Sequence, residues 1–131
     1  MSINSNDFLE SAKRCFALST EVDFRNSVSR SYYAMYHEAR ASLTCLPSYS
    51  GSQHSNLIGY LASKAENKLE PYDAYKMKLL GYQLNQQRKA RHEADYDLQS
   101  IDITDTIAEV AIKSAEDFLN EWKTLKKSKV V

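Results

Sequence analysis

Glycine occurs only three times in this chain (Gly51, Gly59, Gly81) and proline only twice (Pro47, Pro71). No other feature constrains the fold as much, because a many-stranded sheet needs frequent tight turns, and turns draw on glycine and proline for their backbone angles. So little turn chemistry leaves a few long helices and few joints. The apolar spacing says where they lie. A first helix is expected over about residues 6–19, with Phe8, Ala12, Cys15 and Phe16 on one stripe. A second is expected over about residues 23–46, where Val28, Tyr32, Met35, Tyr36, Ala39, Leu43 and Leu46 recur at steps of three and four and so share one side of a helix with ~3.6 residues per turn. That side faces the core.

The clearest loop is "PSYSGSQ", residues 47–53. A shorter third helix follows over about residues 55–69 with Leu57, Ile58, Leu61 and Ala65 on a face, and His54 just before it is read as helping to cap it. Helix four restarts after Pro71 and runs through Tyr75, Leu79, Leu80 and Leu84 until "DLQSID", residues 97–102, breaks it. Helix five opens with Asp102 or Thr104 as cap and carries Ile107, Ala111, Phe118, Trp122 and Leu125. The expected architecture is all-α: an up-and-down bundle of four main helices with one additional short helix. Residues 1–131 make one domain, long enough to bury a core, with a basic tail frayed from about residue 126.

Seventeen Lys and Arg balance seventeen Asp and Glu, so the broad positive charge of a dedicated duplex-DNA binder is missing and any nucleic-acid contact must be local. Cys15 and Cys45 fall within apolar helical patterns, which predicts small buried thiols of a reducing compartment, the cytoplasm. No basic leader precedes an apolar run, and no stretch approaches the ~18 to 20 apolar residues that cross a bilayer, so no membrane association is expected.

Function must come from polar residues that a bundle does not need. Leu80, Leu84, Arg88, Arg91 and Asp95 step by four, four, three and four, so the inward line of helix four changes from apolar to charged. Buried charge is costly unless paired, so either this line opens into a polar pocket or interface, or Glu93 and Asp95 pair with the arginines on a solvated face. On helix two, Asn26, Arg30, Tyr33 and His37 form a second polar line that either borders the same pocket or is ordinary surface. The chain has no H-E-x-x-H, paired Glu-x-x-His, C-x-x-C, glycine-rich phosphate loop or Gly-x-Ser-x-Gly. His92, Glu93 and Asp95 lie too close together and too near arginines for a metal site, so no metal or cofactor is expected.

The segments "SRSYYAMYHEARASL", residues 29–43, and "RKARHEADYDL", residues 88–98, occur in this order about fifty residues apart. Together they resemble the small stand-alone HEPN domains of bacteria and archaea, whose members show S-R-x-Y-Y-A-x-[FY]-H-x-A and then R-x-x-A-D-Y. The resemblance spans nearly the whole chain. It implies a five-helix, bundle-like fold, a homodimer and, in many members, a metal-independent endoribonuclease of toxin-antitoxin or anti-phage systems. The family's signature is Arg, four to six residues, then His, and two copies face each other to form one RNA-cleaving cleft. Laid onto this chain the arginine is Arg91, the polar residue after it is His92, and Tyr96 stands where a four-residue spacing puts the histidine. Arg88 to His92 leaves three residues between, and Arg30 to His37 leaves six but lies in the segment that the family uses mainly for packing.

Metal-free RNA cleavage uses the ribose 2′-OH as nucleophile and needs a base, an acid for the leaving 5′-oxygen and a cation for the charge building on phosphorus. Arg91 is the expected phosphate ligand with Arg88 beside it, and His92 and Tyr96 are the acid–base candidates. Lys89, Arg30 and His37 are expected to bind RNA, with Asp95 in support. The alternatives are a catalytically silent HEPN module that binds RNA, a nucleotide or a protein partner, and a purely structural dimerisation domain. Related toxins pair with nucleotidyltransferase antitoxins, some of which modify a tyrosine two residues after the motif histidine. Tyr96 is the candidate acceptor, although Leu98 occupies that place here.

Overall fold

A computed structural model describes residues 2–63 and 66–128. Among the described residues five helices follow one another: α1 (Ser5–Leu18), α2 (Glu21–Ser42), α3 (Gln53–Ala62), α4 (Ala74–Tyr96) and α5 (Asp105–Lys127). Their directions follow from what meets at each end. Ser5 at the start of α1 donates to Glu38 near the end of α2. Arg25 near the start of α2 donates to carbonyls at the end of α4, and Lys126 at the end of α5 pairs with Glu38. Hence α1, α2, α4 and α5 alternate in direction as an up-and-down bundle, with the short α3 packed on α4. Within that bundle α2 touches the other three long helices. At Gly81 a side chain would bring a Cβ within 3.0 Å of the Leu61 Cβ, so its absence lets α3 and α4 approach closely.

The core stripe of α2 falls as its spacing predicts. Tyr32, Met35, Tyr36 and Ala39 join the main core around Phe118 and Trp122, while Val28 joins a smaller cluster with Ala94, Ile103, Ala108 and Ala111. Trp122 is fully buried and meets Tyr72 edge to face at 5.4 Å. Other apolar positions differ from expectation. Tyr75, Leu79 and Ile107 are exposed on the outer flanks of α4 and α5. Cys15 is only partly buried and Cys45 is exposed, because α2 ends before Cys45 and leaves it in a loop. Ala65 lies outside the described residues. No helix among the described residues is long and apolar enough to cross a membrane.

Helix ends differ from the expected ones for identifiable reasons. Asn4 and Thr20 each form a reciprocal cap with an aspartate three residues on, so α1 and α2 begin earlier than their apolar stripes suggest. α3 is capped by Ser52, not by His54, and α4 by Asp73, two residues after Pro71. Of the two caps offered for α5, Thr104 is the one used. The helix extends to Lys127, so the first two residues of the expected tail are helical, and residues 129–131 lie outside the described ones. α3 stops at Ala62 because the buried Asn67 amide donates to the carbonyls of Tyr60 and Leu61, taking acceptors that a longer helix would use.

α2 stops before Leu46 because the buried Glu70 carboxylate accepts the Thr44 N–H, the Cys45 N–H and the Thr44 and Tyr60 hydroxyls at 2.6 to 2.9 Å. Burial alone would raise the Glu70 pKa, yet the hydrogen bonds, led by Tyr60, outweigh it and hold the carboxyl below its ordinary value. A depressed folded-state pKa contributes stability that is present above the unfolded value of ~4.3 and is lost as pH falls through the folded value. Glu70→Gln is therefore expected to lose about 2 kcal/mol near neutral pH, since it gives up charge-assisted bonds and turns amide hydrogens toward donors. Urea unfolding at pH 7 and pH 3 checks this: the two proteins should differ less at pH 3 than at pH 7.

Candidate functional site

The candidate site forms where the middle of α2, the start of α3 and the last turns of α4 meet. Three tyrosines of α2 supply its floor. Tyr32 is fully buried, with its ring 5.3 Å from that of Tyr33 and 6.1 Å from that of Tyr36. Arginines cover these rings. The Arg91 guanidinium carbon lies 5.4 Å from the Tyr32 ring centre and 5.7 Å from that of Tyr33. Arg30 takes Tyr33 at 5.2 Å, and Arg40 lies over Tyr36 at 5.7 Å and donates to its hydroxyl. Each cation–π contact contributes about 0.5–1 kcal/mol at a partly exposed site, enough to gather guanidiniums on one side of a chain with no net charge.

Arg91 is the centre of this arrangement. Its side chain is only 12% exposed and pairs with Asp95 at 3.6 Å, while Asp95 also accepts from the Ser29 hydroxyl. The Arg91 Nε is buried without a hydrogen-bond partner among the described residues, an unusual cost for a charged group. The inward line of α4 is thus Leu80, Leu84, Gln87, Arg91 and Ala94, with Arg88 and Asp95 at its edge. Of the two expected arrangements, Asp95 does pair with the arginine, but at a half-buried seam. Glu93 is exposed.

The expected catalytic trio is divided between two faces of α4. Consecutive residues on a helix point about 100° apart, so with Arg91 inward its neighbour His92 turns outward. His92 stacks obliquely on Tyr96 at 4.9 Å, and both are exposed. A shallow groove lined by Arg88, Lys89, Arg91, His92 and Glu93 joins the faces. Arg88 also reaches across to α3 and donates to the Ser55 hydroxyl at 2.9 Å. On α2, Arg30, Tyr33 and His37 do form one line, and His37 is half-buried, stacked on Phe8 at 4.8 Å. Asn26 is exposed.

Two residues that sequence reasoning passed over belong to the site. His54, set aside as a cap, points its Nδ1 at the Tyr32 hydroxyl, 2.6 Å away, and stacks on Tyr36 at 4.4 Å. Burial, then Arg91 and Arg88, push its pKa below the ordinary histidine value, and burial, then Arg40, do the same for His37. Burial raises the Tyr32 hydroxyl against the pull of Arg88 and Arg91, so the phenol keeps its proton. Arg25 is the other. Buried one turn before Val28 on the core stripe, it donates to the carbonyls of Glu93, Ala94, Asp97 and Ile101 and so fixes the end of α4. An arginine on an otherwise apolar stripe was the legible signal; His54 had none, since no spacing links it to α2. Among the described residues no group of three or more His, Cys, Asp or Glu is placed to hold a metal ion.

No curated protein and no solved structure matches the chain. The model of the HEPN domain matches residues 4–125, from the cap of α1 to the last turns of α5, and so takes in every residue of the site. On that match and the five-helix bundle that carries it, the chain belongs to the HEPN domain family.

Proposed function

We propose that this HEPN protein binds RNA at the arginine-lined seam and cleaves it without a metal, as a homodimer whose two seams face each other. The observation that carries the reading is the placing of Arg88 and Arg91 along one groove with His92 at its rim. Guanidiniums bind phosphate oxygens in a fork and stay charged at any working pH, and an imidazole moves protons near neutrality. Lys89, Arg30 and His37 extend the contact, and Asp95 holds Arg91 in register. The proposed setting is a cytoplasmic toxin or anti-phage effector, and the exposed Tyr96 offers its hydroxyl to a nucleotidyltransferase antitoxin.

One observation favours the silent module instead: Arg91 is already engaged by Asp95 and two rings, as a structural cross-link would be. Labelled single-stranded RNA incubated with the protein in EDTA separates the two. Cleavage to 2′,3′-cyclic phosphate and 5′-hydroxyl ends is the expected result, whereas binding without cleavage selects the silent module. In size-exclusion chromatography at micromolar concentration the protein should elute as a dimer, and a monomer there would count against a composite cleft. Expression should arrest growth if the toxin setting is right.

A further inference from the structure

We infer that His54 is a proton-transfer group of this site, with Tyr32 holding its ring and Arg88 and Arg91 holding the phosphate beside it. The inference deepens the nuclease reading and rests on it. That reading leaves a gap, because metal-free cleavage needs two proton transfers, and among the expected catalytic residues Arg91, His92 and Tyr96 only His92 is an imidazole.

The geometry around His54 has the parts of an oriented base. Nδ1 is engaged by the Tyr32 hydroxyl at 2.6 Å, and no hydrogen bond among the described residues reaches Nε2, which leaves that nitrogen for a ligand. The Tyr32 hydroxyl is anchored in the core, and it can donate to Nδ1 or accept from it, so either tautomer of the imidazole is supported. Stacking on Tyr36 and an edge contact with Tyr33 at 6.0 Å hold the ring in place. Phosphate binding is adjacent, since Arg88 donates to Ser55, the residue after His54, while also lining the groove that carries His92. Thus the arginine pair is bordered by one imidazole from α3 and one from α4.

In the proposed step the His54 Nε2 removes the proton of the ribose 2′-OH and the freed oxygen attacks phosphorus. The bond from phosphorus to the 5′-oxygen breaks, and His92 donates the proton that this oxygen needs. The products are a 2′,3′-cyclic phosphate and a 5′-hydroxyl, and no co-reactant is consumed. Beyond burial, the largest cause, the charged or titratable groups that lower the His54 pKa are Arg91 and Arg88 from α4 and His37 and Arg40 from α2, and all four disfavour imidazolium. A base kept neutral in this way is ready to accept a proton near neutral pH.

The test compares wild type with His54→Asn and His54→Gln, both folded by circular dichroism, on labelled RNA in EDTA across pH 5 to 9. The asparagine variant should cleave about 100-fold more slowly with little change in KM. It should also lose the wild-type rise in rate on the acid side, which is expected below the ordinary histidine value of ~6.5. Free imidazole should restore part of the rate to His54→Ala, which a merely structural role would not allow. Tyr32→Phe keeps the ring but frees the imidazole, and should slow cleavage about tenfold while moving the acid limb. If both His54 variants cleave at the wild-type rate with an unchanged pH profile while Arg91→Ala does not cleave, the inference is wrong and the nuclease reading stands. If wild type itself cleaves nothing, both are wrong.

Discussion

Arg91→Ala is expected to lower RNA cleavage by about 10²- to 10³-fold, the cost of removing one preorganised group that stabilises charge developing in a transition state. The size of the effect follows from where Arg91 sits. Its guanidinium is fixed by the Tyr32 and Tyr33 rings and by Asp95, so it does not have to be ordered when RNA arrives. The folded state should survive the change. Two cation–π contacts and a partly exposed ion pair sum to about 1–2 kcal/mol, and Asp95 keeps its hydrogen bond from Ser29. Arg91→Lys sharpens the test, because lysine keeps the charge but neither lies flat on the rings nor offers a fork, so it should recover only part of the lost rate. Single-turnover cleavage and RNA binding are measured together. If Arg91→Ala weakens binding and cleavage in equal proportion, the arginine serves binding alone; if neither changes, the seam is not the site.

The divided fate of the motif residues shows what a sequence can and cannot carry. Bundle, helix order and the inward line of α4 were legible because apolar spacing is a local property of each helix, set by 3.6 residues per turn. That Arg91 turns inward followed from Leu80 and Leu84 before it. The same period implies that His92 and Tyr96 leave that line, and the motif spacing drew attention away from this. His54 was out of reach for a different reason. Its role depends on how α3 docks against α2, a contact between residues 22 positions apart that no periodicity encodes. Helix ends were misjudged where side chains from elsewhere cap them, as Glu70 does for α2 and Asn67 for α3. The donors at the end of α2 and the acceptors at the end of α3 are satisfied by side chains beyond those ends, Asn67 falling within the expected third helix and Glu70 just after it.

Arg25→Ala is expected to destabilise the fold by about 3 kcal/mol, more than any other single polar truncation proposed for this chain. An α-helix leaves its last carbonyls without partners, and they carry the negative end of its dipole. In α4 the Arg25 guanidinium takes the carbonyl of Ala94 and shares that of Glu93 with the Asp97 N–H, and it also takes those of Asp97 and Ile101 in the connection to α5. Its remaining partner is Glu21, whose carboxylate also accepts the Ile103 N–H, so one side chain ties the start of α2 to the end of α4 and to the segment before α5. Arg25 is only 7% exposed, so water cannot fully replace what alanine removes, and a space the size of the side chain opens beside Val28 and Ala94. Arg25→Lys should cost less, because an ammonium keeps the charge at the helix end but cannot span four carbonyls. Urea unfolding measures the loss. Hydrogen exchange locates it, with protection expected to fall first at residues 94–103 while the α2 core keeps its protection. Since Arg91 and Asp95 occupy the last turns that Arg25 secures, a loosened α4 end should also slow cleavage without altering its pH profile. Equal exchange in variant and wild type across residues 94–103 would show that α4 holds its end without this arginine.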